Sequence, residues 1–229
     1  VTIRAITLDL DDTLWPVWPA IRGAEQALHT WLSEHAPPVA HHCPPERMRE
    51  FRPQAAEQAQ ARGLAHDLAW IRQHQIGMAF AAADHPTDQT VIARAYEVFE
   101  TARQAVEPFP EVAAVLTTLA SRCPLVALTN GSADIERMAL GRHFKGAFSA
   151  MRLGIAKPDP GIFHAACEHL GLPPGEVLHV GDDPRLDVVA ARAAGLQTLW
   201  INRDGRDWPL EEPSGQAAAD LRILLDLVS

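Results

Sequence analysis

An apolar run that delivers carboxylates to its own end constrains this chain more than any other stretch. In Ile3-Arg4-Ala5-Ile6-Thr7-Leu8-Asp9-Leu10-Asp11-Asp12-Thr13-Leu14-Trp15, the residues Ile3, Ile6, Leu8 and Leu10 leave few polar side chains. That is the pattern of a buried parallel strand covered on both faces. The acidic cluster begins where the run stops, and ligands of open α/β sheets bind at the carboxyl ends of strands. Asp9, Asp11 and Asp12 fall within four residues, so in a fold they raise one another's pKa unless a cation or a transferred group compensates. The arrangement asks for a metal ion. Asp-Asp-Thr would also suit the start of a capped helix, so the choice rests on the remainder of the chain.

At 229 residues and 47% hydrophobic content, the chain can build one α/β core with an insertion, or two small domains. The 29 acidic against 20 basic residues give a net charge of -9, which repels nucleic acid and anionic membrane surfaces at long range. Neither is expected as a partner; a small molecule is. Cys43, Cys123 and Cys167 are too scattered for a disulfide framework, and no apolar segment approaches spanning length. Together with the lack of a secretory-type leader, this predicts a reducing, cytoplasmic setting. Monomer and homodimer stay equally open.

Beyond Trp15-Pro16-Val17-Trp18-Pro19 the character changes. Ile21, Ala24, Leu28, Trp31 and Leu32 recur at helical spacing up to Ala36-Pro37-Pro38. Residues 45–80 are rich in Ala, Gln, Glu and Arg with breaks near Pro53 and Gly63, and a further helix is predicted over 87–106. Residues 17–105 therefore form an expected all-helical cap inserted into a core made of 1–16 and 106–229. From Val112 an α/β rhythm follows: a helical stripe, a strand over Pro124–Leu128, and a helix around Asp134–Leu140. A looser segment, 148–155, precedes a helix ending at Leu170-Gly171. Val177–Val180 and Leu196–Ile201 read as strands, with a helix between them up to Gly195 and a last helix over Ala217–Val228. The fold class expected is α/β, a Rossmann-like three-layer core with a parallel sheet plus the helical cap.

Polar groups collect at separate strand ends: Asp9 and Asp11, Thr129 and Asn130, and Asp182, Asp183 and Asp187, with Lys157 in an adjoining loop. Carboxylates, a hydroxyl, an ammonium and a hard divalent cation together suit phosphoryl transfer, in which phosphate charge must be neutralised before a carboxylate can approach. All-oxygen ligation favours Mg²⁺ over zinc.

These motifs resemble, in order, those of the haloacid dehalogenase superfamily: Asp9-Leu10-Asp11-Asp12-Thr13, Leu128-Thr129-Asn130-Gly131, Lys157-Pro158, and Gly181-Asp182-Asp183 with Asp187. The resemblance implies Asp9 as a nucleophile that becomes an aspartyl-phosphate and Asp11 as the acid and base, with Asp12 not catalytic. It implies phosphate contacts from Thr129 and around Asn130 and Gly131, with Lys157 pairing with phosphate and Asp9. Mg²⁺ would sit on Asp9, the Asp11 carbonyl and Asp182, supported by Asp183 or Asp187. The insertion point resembles subfamilies whose cap closes over a small organic phosphate. On that resemblance 13–19 is a hinge, and Trp15 and Trp18 either pack there or stack on an aromatic substrate.

The runs Asp9–Pro19, His66-Asp67-Leu68 with Arg72, and Leu178–Asp183 look like bacterial phosphatases of flavin mononucleotide and of the riboflavin-pathway pyrimidine phosphate. Arg72 is either a cap residue reaching the polar end of a substrate or part of a solvated helix face. His35, His41, His42 and Cys43 lack the paired spacing of a zinc module and read as a proline-bounded loop. Competing functions are a phosphomutase, a sugar-phosphate or phosphoglycolate phosphatase, and, from another class, a phospho-accepting signalling or binding module. A dehalogenase attacks carbon without metal or a second acid, so Asp11 disfavours it.

Overall fold

Ala5–Leu8 form β1, and all four side chains are buried, as a strand with neighbours on both edges and helices on both faces requires. The computed structural model describes residues 2–228; Val1 and Ser229, which the expected core includes, lie outside them. Five further strands join β1: β2 (Leu125–Thr129), β3 (Gly146–Ser149), β4 (Val177–Gly181), β5 (Gln197–Ile201) and β6 (Gln216–Ala218). All pair in parallel, in the order β3-β2-β1-β4-β5-β6. In this Rossmann-like sheet the strand order reverses between β1 and β4, which opens a crevice at their carboxyl ends.

The chain divides into two compact units, Val1–Pro16 with Glu107–Ser229, and Val17–Val106. The second holds α1 (Val17–His35), α2 (Pro37–His42), α3 (Pro45–Glu50), α4 (Arg52–Ala61), α5 (Leu68–Ala82) and α6 (Gln89–Arg103). Leu28, Leu32, Val39, Ile76, Phe80 and Phe99 lie in its buried core. Asp67 and Asp88 start α5 and α6 by accepting from the amides of Trp70 and Val91, at 2.8 and 2.9 Å. His41 and His42 belong to α2 rather than to a loop, and Cys43 is buried with its thiol donating to the Ala79 carbonyl.

In the sheet unit α7 (Val112–Ala120), α8 (Ala150–Leu153), α9 (Pro160–Leu170), α10 (Ala190–Ala193) and α11 (Leu224–Leu227) complete the architecture. Four local expectations are corrected. The segment at 134–140 is a pair of 3-10 turns, Ile135–Arg137 and Ala139–His143, separated by an extended Met138. Within 148–155 lies the end of β3, an edge strand of Gly, Ala, Phe and Ser too short to alternate visibly, and α8. The helix after Asp183 opens as a π-helical turn, Pro184–Val189, before α10. Gln216–Ala218 pair with β5 instead of continuing a last helix, because strand pairing overrides alanine's helical preference. Among the described residues no helix is long and apolar enough to cross a membrane.

Candidate active site

Asp9 is the first residue past β1; its amide donates to the Val180 carbonyl of β4 at 2.9 Å, which places its carboxylate at the sheet crevice. Lys157 Nζ donates to Asp9 Oδ1 and to Asp187 Oδ1, each at 2.6 Å, and all three side chains are buried. Asn130, just beyond β2, fixes the lysine's backbone, donating to the Lys157 carbonyl at 2.9 Å and accepting from the Lys157 amide at 2.8 Å.

Asp187 is held from three sides. Besides Lys157 it accepts from the Asp183 amide at 3.0 Å and from His179 Nε2 at 3.1 Å. His179 Nδ1 in turn lies 2.8 Å from Thr7 Oγ1, its cross-strand partner. Burial pushes the His179 imidazole below its usual range, so it sits neutral, and Asp187 fixes the proton on Nε2. Burial alone would raise Asp187, but the Lys157 ammonium and the His179 bond hold it well below the ordinary carboxylate range. Against its own burial, the Asp187 and Asp9 carboxylates hold Lys157 charged beyond the usual lysine range.

The remaining carboxylates are under-compensated. Burial raises Asp9 well above the ordinary value; Lys157 opposes this, while Asp187 and Asp182 add to it. Burial, followed by the charges of Asp187, Asp12 and Asp183, pushes Asp182 up to about 7. Ligand oxygens of Asp9, Asp182 and Asp187 lie within 4.8 Å of one another. Lys157 contacts Asp9 and Asp187, and Arg206 reaches Asp182 Oδ2 at 3.8 Å. Asp9 and Asp182 are nevertheless driven toward neutrality, and an all-oxygen cluster of this kind fits a hard divalent cation such as Mg²⁺.

Asp11 lies in a one-turn loop after β1. Asp12 takes φ 57°, the Asp12 amide donates to the Trp15 carbonyl at 2.7 Å, and Trp15 Nε1 donates to Asp11 Oδ1 at 2.8 Å. Gly131 faces that carboxylate so closely that a Cβ there would lie 2.5 Å from Asp11 Oδ2. Its amide donates to Thr129 Oγ1 at 2.9 Å, and Thr13 Oγ1 donates to Asp9 Oδ2 at 3.4 Å.

The structure thus brings Asp9, Lys157, Asp182 and Asp187 together, with Asp11 beside Gly131 and Thr129. Three expected contributors behave differently. Asp183 Oδ1 accepts from the amides of Arg185 and Leu186, each at 2.8 Å, so it caps the following turn instead of joining the acidic cluster. Trp15 is fully buried and offers Asp11 a hydrogen bond rather than a stacking face, whereas Trp18 is 60% exposed. Arg72 belongs to the helical unit and is buried there, not on a solvated face. Sequence reasoning missed Thr7, Thr13 and His179; a histidine inside the apolar run Val177–Val180 was the available signal.

A family model described as haloacid dehalogenase-like hydrolase matches residues 3–195. The chain belongs to this family. It is similar to the 5-amino-6-(5-phospho-D-ribitylamino)uracil phosphatase YigB of Escherichia coli K12, 32% identical over 207 residues, covering 90% of this chain and 86% of that protein. It is also similar to the phosphoserine phosphatase of Thermus thermophilus, 31% identical over 245 residues, covering 96% and 95%. Among solved structures, the 2-haloacid dehalogenase from Pseudomonas syringae pv. tomato DC3000 superposes with a TM-score of 0.88 at 35% identity, covering 99% and 98%. As a member of this family the chain is a hydrolase, and its phosphatase relatives carry the reaction class.

Proposed function

We propose that this hydrolase cleaves a small organic phosphate monoester with Mg²⁺ as cofactor, through an aspartyl-phosphate on Asp9. The observation that carries this reading is the convergence of Asp9, Asp182 and Asp187 within 4.8 Å, a cluster of the kind that can hold a cation. Asp9, the Asp11 carbonyl and Asp182, supported by Asp187, would hold the Mg²⁺, which would supply neutralisation of the phosphate charge. Asp9 attacks phosphorus, and the P–O bond to the leaving group breaks. Asp11, oriented by Trp15, protonates the leaving oxygen and then takes the proton of the water that hydrolyses the acyl phosphate. Lys157 and Thr129 hold phosphate oxygens together with the backbone at Asn130 and Gly131.

The YigB relative supports flavin mononucleotide or the riboflavin-pathway pyrimidine phosphate as substrate. Phosphoglycolate, sugar phosphates and phosphomutase chemistry are the alternatives. In this reading substrate choice belongs to the helical unit, 17–106, as a cap, where Trp18 supplies an exposed ring.

A second reading, dehalogenation, is favoured by the likeness to the Pseudomonas syringae structure. It gives no role to the Asp11 carboxyl or to the raised Asp182. Release of phosphate from p-nitrophenyl phosphate with Mg²⁺, measured beside release of chloride from 2-chloropropionate with chelator, decides between them. Phosphate release abolished by chelator is expected; metal-independent chloride release would overturn the proposal.

A further inference from the structure

Arg72 lies in the second turn of α5 and is only 5% exposed. Its guanidinium sits over the Phe99 ring at 3.9 Å from the centroid, and Nη1 is sealed from solvent with no hydrogen-bond partner. Three residues on, and so on the same helix face, Gln75 gives its amide N–H to the Met48 carbonyl and leaves Oε1 buried and unpartnered.

The nearby carboxylates are already engaged. Arg49 holds Glu25 Oε2 through Nε at 2.9 Å and Nη2 at 2.6 Å. Tyr96 and Gln104 donate to Glu100 at 3.4 and 2.6 Å. Arg52 adds positive charge; burial first and this repulsion second push the Arg72 guanidinium down to about 10, against the pull of Glu25, Tyr96 and Glu100. Buried charges in proteins are paired or hold a ligand, and the arginine fork matches an oxyanion.

We infer that Arg72 is the centre of an oxyanion site inside the helical unit. It takes a carboxylate or phosphate group, while Gln75 Oε1 accepts from a hydroxyl or ammonium next to that group. The site rests on the helical unit alone and does not depend on the phosphatase reading.

The test uses the full chain without metal, at constant ionic strength, with malonate replacing chloride. Arg72→Met keeps an apolar stem over Phe99 and removes the charge. The wild-type melting temperature rises by roughly 5 °C at saturating malonate, and the Arg72→Met protein shows no such rise; Arg72→Gln serves if the first variant does not fold. No wild-type rise, or an equal rise in the variant, would overturn the inference.

Turnover then separates the two sources of the anion. If the oxyanion is part of the substrate, Arg72→Met lowers the preference for O-phospho-L-serine over p-nitrophenyl phosphate by roughly 10- to 100-fold. A separate effector leaves that ratio unchanged while the malonate shift is still lost. Absence of all turnover would sink the phosphatase reading and leave the malonate result standing.

Discussion

Asn130 and Lys157 are tied to each other by both edges of a single amide, Nδ2 donating to the lysine carbonyl at 2.9 Å and Oδ1 accepting from the lysine amide at 2.8 Å. Two strand-end loops far apart in the chain are thereby locked in register, and the ammonium reaches Asp9 from a fixed backbone. Asn130→Ala removes both bonds and is expected to cost roughly 1–3 kcal/mol of stability. It also lowers kcat/KM for any phosphate ester, because Lys157 loses its footing. Urea unfolding and steady-state kinetics measure the two effects; wild-type kinetics in this variant would show that the lysine needs no such support.

The proposed mechanism gives Asp9 and Asp11 separable roles, and substitution at each tests it. Asp9→Asn eliminates the phosphoenzyme, since an amide is a poor nucleophile, whereas Asp11→Asn slows proton transfer by about 10²- to 10⁴-fold. Trp15→Phe keeps the buried ring but removes the N–H that holds Asp11 Oδ1. It should depress kcat for all substrates in common, and most for esters with poor leaving groups. Trapping of acid-quenched phosphoenzyme, with kinetics on aryl phosphates of graded leaving-group pKa, tests all three variants. A Trp15→Phe effect confined to aromatic substrates would restore stacking as the role of that ring.

The acidic cluster makes stability depend on pH with a definite sign. Burial and neighbouring carboxylates push Asp182 up to about 7, and Asp9 is raised in the same direction. Unfolded aspartate titrates near pH 4, so between roughly pH 4 and 7 the folded protein binds more protons than the unfolded chain. That stabilisation is present at low pH and is lost as pH rises through 7. Asp187 is depressed and works oppositely below pH 4, and the imidazoles of His179, His74 and His143, all lowered by burial, work oppositely as pH falls through about 6.5. The metal-free melting temperature should therefore fall between roughly pH 6.5 and 8, above the range in which the histidines oppose it, and Mg²⁺ should restore it at the upper end by replacing protons. Calorimetric scans across this window, with and without chelator, provide the check; a flat profile indifferent to Mg²⁺ would remove the cation from the cluster.

Thr7 and His179 form a buried pair whose members need each other. His179→Leu strands the threonine hydroxyl and takes one donor from Asp187, for an expected loss of roughly 1–3 kcal/mol. Adding Thr7→Val removes the stranded group and recovers most of the stability, yet not the turnover, because Asp187 still lacks its donor. A double variant regaining both would make the histidine a packing residue only.

Strand-end residues were legible in the sequence because each closes an apolar run, and Asp9, Thr129 and Asp182 could be placed by that rule alone. What stayed hidden was partnership. Asp183 and Asp187 are equivalent carboxylates on paper; the π-helical turn points one into the buried lysine and turns the other onto backbone amides. The proline-flanked run around Trp15 left packing and stacking both open; the left-handed Asp12 folds the loop back and buries the indole. The strands β3 and β6 escaped notice because edge strands of small and polar residues are defined by their neighbours rather than by a pattern of their own.

The strand that carries Asp9 pairs with Leu125–Ala127 on one side and with Val177–Val180 on the other. During synthesis, its first sheet neighbour emerges only after the whole helical unit has been made. The strand that ends at Asp9 must therefore wait unpaired while residues 17–106 complete their own local folding, and it is sheathed on its second edge later still. Contacts of such long sequence separation form slowly and leave unpaired strand edges exposed meanwhile. For this chain the vulnerable interval in biogenesis lies before β4 emerges, when Asp9 and its strand have no place yet to be buried.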